Sequence, residues 1–132
     1  MRIVIDSNVW ISALVFGGNP RQVLERCVQE GIGIVLSEAI ITEVRRNLGR
    51  KFADFLPDFE ALLAALDTRL VHVTLGSIDI QASRDTDDNR VIETAVLGEA
   101  AYIVSGDKDL LSLITYDGIP IVAPASFITA NS

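Results

Sequence analysis

Carboxylates dominate the residues of this chain that can do chemistry: Asp6, Glu43, the cluster Asp85, Asp87 and Asp88, and the pair Asp107 and Asp109. Asp6 directly follows the apolar run RIVI, and Asp107 lies two residues beyond the run AYIVS, across Gly106. Asp88 stands in the acidic patch SRDTDDNRVIETA, with Asp85 and Asp87 beside it. Neighbouring like charges raise one another's pKa unless a positive ion relieves them. Hard oxygen donors select Mg2+ or Mn2+, and such an ion among carboxylates suits activation of water for attack on a phosphodiester. Other chemistries lack their parts. The only histidine, His72, lies within a strand-like run, and the only cysteine, Cys27, reads as a buried helical thiol. The pair Gly17-Gly18 has neither the spacing nor the lysine of a phosphate-binding loop.

Each acid also has a structural reading. An aspartate after a first strand is a natural N-cap for the next helix, although Ser7 and Asn8 can serve there as well. In SEAIITEVRRNL the residues Ile40, Ile41, Val44 and Leu48 define a buried stripe that Glu43 borders. A carboxylate there needs a metal or a partner, and Arg46, at a helical spacing of three, is the nearest cation. Asp85, Asp87 and Asp88 cannot all cap one helix, so at least one faces a cation or water. Asp85, Asp87 and Asn89 imitate the opening ligands of a calcium-binding EF-hand loop, but Arg90 replaces the required glycine and Val96 the required closing glutamate. Lys108 offers a salt bridge to Asp107 or Asp109. What favours chemistry is the set, in which several acids meet at one edge with few bases to neutralise them.

The elements that must position these residues follow from the apolar pattern. Strand-like runs occur at RIVI (2 to 5), IGIVL (32 to 36), VHVTL (71 to 75), AYIVS (101 to 105) and PIVA (120 to 123). Their β-branched content suits buried strands. Helical patterns cover about 8 to 15, 20 to 30, 37 to 49, 55 to 68, 89 to 99 and 107 to 114, with Pro20 in a first turn and Ser37 as an N-cap. This alternation predicts an α/β fold, a three-layer α/β/α sandwich around a central parallel five-stranded sheet. Open parallel sheets place ligand sites at the carboxyl ends of the strands, where the strand order reverses. Asp6 and Asp107 fall at that edge.

The 132 residues fit a single domain, 1 to 132, and with 49% apolar and 22% charged residues they can bury a core. No apolar run approaches the roughly 18 residues of a membrane span, and with one cysteine the chain is expected to be soluble, unprocessed and cytoplasmic. A net charge of −7 repels a polyphosphate over most of the surface, so any nucleic-acid binding must be local or metal-assisted. Positive charge is concentrated in RRNLGRK, where Arg45, Arg46, Arg50 and Lys51 either touch phosphates or form an ordinary solvated helix end.

Taken in order, IDSNVWISAL after the first strand, the glutamate of SEAIITEV, the aspartate of DDNRVIETA and the aspartate of VSGDKDLL form a set that resembles the PIN-domain nucleases. The likeness is greatest to the VapC-like toxins of type II toxin-antitoxin systems and spans nearly the whole chain. Each motif alone is common; the ordered set is specific. The resemblance implies a PIN-like sandwich and a Mg2+- or Mn2+-dependent endoribonuclease, a hydrolase cutting RNA phosphodiester bonds as the toxin of a toxin-antitoxin pair. Carried over by position, Asp6, Glu43, Asp88 and Asp107 are its catalytic and metal-binding quartet, Asp109 a further ligand, and Asn8 and Ser105 polar neighbours. Asp88 is preferred to Asp87 because it directly precedes Asn89. An antitoxin protein and a homodimer are implied as partners, with no membrane.

Two other readings share part of the pattern. A haloacid-dehalogenase-like phosphatase also has an aspartate after its first strand but needs another two positions on, where this chain has Asn8. A non-enzymatic phosphoacceptor receiver domain expects adjacent acids after strand one and an aspartate after strand three. Here Ile5 precedes Asp6, and Gly76-Ser77 follows VHVTL.

Overall fold

In the computed structural model, which describes residues 1 to 130, strands and helices alternate along most of the chain. Strand β1 (Arg2–Ile5) leads through Asp6 into helices α1 (Ser7–Val15) and α2 (Gly18–Glu30). Strand β2 (Gly33–Leu36) precedes α3 (Glu38–Lys51) and α4 (Leu56–Ala65), and β3 (Leu70–His72) is joined by an irregular stretch to α5 (Thr86–Leu97). Then follow β4 (Tyr102–Val104), α6 (Lys108–Ser112), β5 (Thr115–Tyr116), β6 (Ile119–Val122) and α7 (Pro124–Ala130).

The sheet order is β3-β2-β1-β4-β6-β5. The five expected parallel strands are all present, and a sixth must be added: β5 runs antiparallel to β6, with Thr115 opposite Pro120 and Tyr116 opposite Ile119. Asp117 and Gly118 both take positive φ, 50° and 79°, and so turn the chain back in a two-residue hairpin whose twist matches that of its strands. Other boundaries also move. The expected helix over 55 to 68 stops at Ala65 and tightens into a 3-10 turn at Asp67–Arg69, a common way to end a helix. Helix α6 is shorter than the expected 107 to 114, and α7 has no counterpart among the expected helices. Ser37 sits at the N-cap position of α3 but makes no side-chain cap bond; its hydroxyl is paired with that of Thr94 at 2.8 Å.

Ile3, Val4 and Ile5 are fully buried, as a strand covered on both faces requires. The register sets Val35, Val4 and Ile103 side by side on one face. Helix α5 lies over that face, and at its C-terminal end Gly98 approaches Val35 so closely that a Cβ would come within 2.3 Å of Val35 Cγ1. Tyr102 points to the opposite face, where Phe127 of α7 meets it edge-on with ring centroids 5.5 Å apart. Helix α2 packs against α7 on that side. Two helical layers therefore enclose the sheet, as expected. Trp10 and Phe59, both fully buried, meet edge-to-face at 5.9 Å and join α1 to α4. Cys27 is buried too, and burial pushes its thiol up to about 12, so it is inert at neutral pH. Among the described residues no helix is long and apolar enough to cross a membrane.

Candidate active site

Strand β1 has β2 on one side and β4 on the other, so the chain order reverses between β1 and β4, and their carboxyl ends border a crevice. The Asp6 N–H donates to the Val104 carbonyl at 2.9 Å, which fixes where Asp6 leaves the sheet. Asp6 does cap α1, its Oδ1 accepting from the Ser7 N–H at 2.7 Å. Its Oδ2 accepts from Asn8 Nδ2 at 3.0 Å and from Ser105 Oγ at 2.8 Å. Burial raises its pKa from 3.8 to about 6; the bonds from Ser105 and Ser7 oppose the rise, while the charges of Glu43 and Asp107 add to it. A helix cap alone needs no buried carboxyl that faces two other acids.

Asn8 and Ser105 lock the two loops together. Asn8 Oδ1 accepts from the Gly106 N–H at 2.9 Å, and Ser105 Oγ accepts from the Asp107 N–H at 2.9 Å. A Cβ at position 106 would stand 3.2 Å from Asn8 Oδ1, so glycine permits this close approach. Glu43, half-buried on α3, accepts at Oε1 from Ser7 Oγ at 2.5 Å. Among the described residues it forms no ion pair with Arg46 or Arg50.

The acidic patch before α5 divides its tasks. Asp85 caps the helix by accepting from the Asp87 N–H at 2.9 Å, and Asp87 faces Arg90 at 3.9 Å on the solvent side. Asp88 is buried, accepts from Ser83 Oγ at 3.1 Å, and lies close to the Asp107 carboxyl. Burial first, and then Asp107, push the Asp88 pKa well above the usual carboxylate range. Asn89 holds the preceding loop through two bonds to the Ser83 main chain, at 2.8 and 2.9 Å. Asp107 caps α6, with Oδ1 accepting from the Asp109 N–H at 3.0 Å. Asp88, Asp107 and Asp109 each present an oxygen within 4.8 Å of the others, and Lys108 pairs with none of them among the described residues.

The structure thus groups Asp88, Asp107 and Asp109, and sets Asp6 in the field of both Glu43 and Asp107. Of the basic residues, Arg45 is committed to Glu60 of α4 through a fork of bonds at 2.9 and 2.7 Å. Arg46 lines a cleft of about 590 Å³ with Arg90, and Lys51 lines a cleft of about 280 Å³ that also contains Glu43. Arg50 is exposed and borders neither. Ser7, Ser83 and Asn89 are not legible as site residues in the sequence, since the partners that give them a role are reached only through the fold. The donor set is all carboxylate oxygen, and the pKa values of two of its members, Asp6 and Asp88, are raised by burial and by neighbouring carboxyls. A hard divalent cation fits such a site, because it offsets the cost of ionising these groups.

A family model for the PIN domain matches residues 2–109, a span that contains all of these acids. The chain belongs to the PIN domain family. PIN domains are nucleases, which supports a hydrolase. An uncharacterized protein of Methanocaldococcus jannaschii is 34% identical to this PIN domain over 117 residues, covering 86% of this chain and 75% of that protein. The crystal structure of VapBC2 from Rickettsia felis, bound to a DNA fragment from its promoter, shares the fold with a TM-score of 0.61 at 12% identity, covering 92% of this chain and 97% of that one. In this PIN domain the Asn8 amide is committed to Asp6 and Gly106, so it does not supply the acid that a phosphatase of the alternative kind requires.

Proposed function

We propose that this PIN domain is a Mg2+- or Mn2+-dependent endoribonuclease, with Asp6, Glu43, Asp88 and Asp107 as catalytic carboxylates and Asp109 as a further metal ligand. The observation that carries this reading is the meeting of Asp88, Asp107 and Asp109 within 4.8 Å, beside a buried Asp6, at the carboxyl edge of the sheet. A bound divalent ion supplies neutralisation of phosphate charge and a more acidic attacking water. The chain's own residues set the stage. Ser7, Asn8 and Ser105 hold Asp6 in one orientation, and Ser83 and Asn89 seat Asp88 at the start of α5. Glu43 is fixed through Oε1 by Ser7, which leaves Oε2 to accept a proton from the nucleophile. Asp88, whose pKa is raised by burial and by Asp107, would have to ionise to hold such an ion.

Likeness in motif to VapC-like toxins and in fold to the VapBC2 structure supports a toxin role, in the cytoplasm, with an antitoxin and a second copy of the chain as partners. An acidic crevice beside apolar helices suits a basic, extended antitoxin segment. Purified protein incubated with mixed RNAs and Mn2+ should produce internal cuts that excess chelator abolishes. Cutting unchanged in chelator overturns the metal-dependent mechanism. Co-expression with the product of the neighbouring gene should relieve growth arrest; absence of both toxicity and a bound partner removes the toxin role and leaves the nuclease.

A further inference from the structure

We infer that the cleft of about 280 Å³ between Glu43 and Phe52 is a subsite for one unpaired nucleotide next to the scissile phosphate, with Phe16 and Phe52 as its stacking surface and Lys51 as its counter-charge. This rests on the nuclease reading above and extends it to the shape of the substrate. The cleft shares Ser7, Asn8 and Glu43 with the acidic site, so a strand lying in it continues directly onto the carboxylates. Phe16 ends α1 and Phe52 ends α3, and their rings meet edge-on at 5.9 Å. Phe52 lines the cleft, and Phe16, 74% exposed and packed on Phe52, extends the aromatic wall at its edge. Base-aromatic stacking tolerates any sequence, but it requires a base that is not already stacked in a duplex.

Charge selects this cleft over its larger neighbour. The cleft of about 590 Å³ sets Glu38, Asp87 and Glu93 against Arg46 and Arg90, a net negative lining that repels phosphate. Among the described residues lining the smaller cleft Glu43 is the only acid, and Lys51 balances it. Among the described residues Lys51 has no ion-pair partner and the Asn47 amide and Ser12 hydroxyl have no side-chain hydrogen-bond partner, which leaves them for a base edge or a ribose. An aromatic wall, an unpaired cation and unpaired polar groups in one small cleft are the parts of a single-strand site. A protein partner of the same face needs the ring but not the cation.

The test measures fluorescence anisotropy of a short labelled oligoribonucleotide of randomised sequence in chelator, and KM for the same strand in Mn2+. Phe16→Ala should weaken binding and raise KM by an order of ten-fold or more, with kcat much less affected, and Phe16→Trp should restore both. Lys51→Gln should reduce the slope of log affinity against log salt by roughly 0.7. A pre-annealed duplex should bind less tightly than the single strand and be indifferent to Phe16→Ala. Wild type that binds and cuts while Phe16→Ala behaves identically overturns the subsite and leaves the nuclease standing. Unchanged RNA affinity together with a smaller assembly for Phe16→Ala in light scattering makes the face a protein interface and also overturns it. Wild type that neither binds nor cuts any single strand overturns both readings.

Discussion

Replacing Asp6 by asparagine isolates the electrostatic cost of the site. Burial raises the Asp6 pKa from 3.8 to about 6, so within that window the folded state holds a proton that the unfolded chain releases. The stability contributed by this group is therefore fully present below 3.8, is lost as pH rises through about 6, and is level above. The shift corresponds to about 3 kcal/mol withheld at neutral pH. Asparagine keeps the cap bond from the Ser7 N–H, but its amide nitrogen would face Asn8 Nδ2, and a donor meeting a donor costs about 1 to 3 kcal/mol. Absolute stability at neutral pH thus changes little or rises slightly, while its pH dependence changes strongly. Urea unfolding in chelator, across a pH series, should show Asp6→Asn gaining about 3 kcal/mol on wild type as pH rises through the window. Taking the difference cancels the carboxyls that do not interact with Asp6, among them Glu60, whose pKa is lowered by Arg45. A gap that stays constant from below 3.8 to above 6 refutes the assignment of a buried, acid-facing Asp6.

In RNA cleavage assays Asp88→Asn should reduce activity by orders of magnitude and Asp87→Asn by only a few-fold, because Asp87 faces Arg90 at the surface; the opposite ranking would move the ligand to Asp87. Saturating Mn2+ should raise the melting temperature of wild type, by about 2.7 kcal/mol of stability at a hundred times Kd, and much less that of Asp107→Asn; equal shifts would place the ion elsewhere. Gly98→Ala should destabilise by about 1 to 3 kcal/mol, since its methyl group would overlap Val35, and a variant as stable as wild type in urea would show that α5 is not seated so tightly.

Much of this arrangement is legible from the sequence because the physics behind it is local. β-branched runs such as RIVI become strands buried on both faces, and an aspartate just beyond such a run must emerge at the carboxyl edge of the sheet. The sequence prefers Asp88 to Asp87 only because it directly precedes Asn89; that Asp88 is buried while Asp87 faces Arg90 becomes visible only in the fold, where one position along a helix turns a side chain from solvent to core. What escaped is either too short or too distant. Strand β5 has two residues, too few for a period, although the Asp117-Gly118 pair is a hairpin signal that stands in plain view. Ser7 and Glu43 are 36 positions apart, and Ser37 and Thr94 are 57 apart, so no local pattern announces either bond. Charge alone makes Arg45 a candidate for phosphate contact, because its partner Glu60 lies 15 positions downstream and on another helix.

The account depends on a divalent cation residing among these carboxylates, and an anomalous difference map from a crystal grown with Mn2+ tests that most directly. The map should show a peak bordered by the carboxylates of Asp88 and Asp107, with Asp6 and Asp109 beside it, and the peak should vanish in Asp107→Asn. A crystal saturated with Mn2+ that shows no peak at these residues, or one that keeps its peak in Asp107→Asn, contradicts the account.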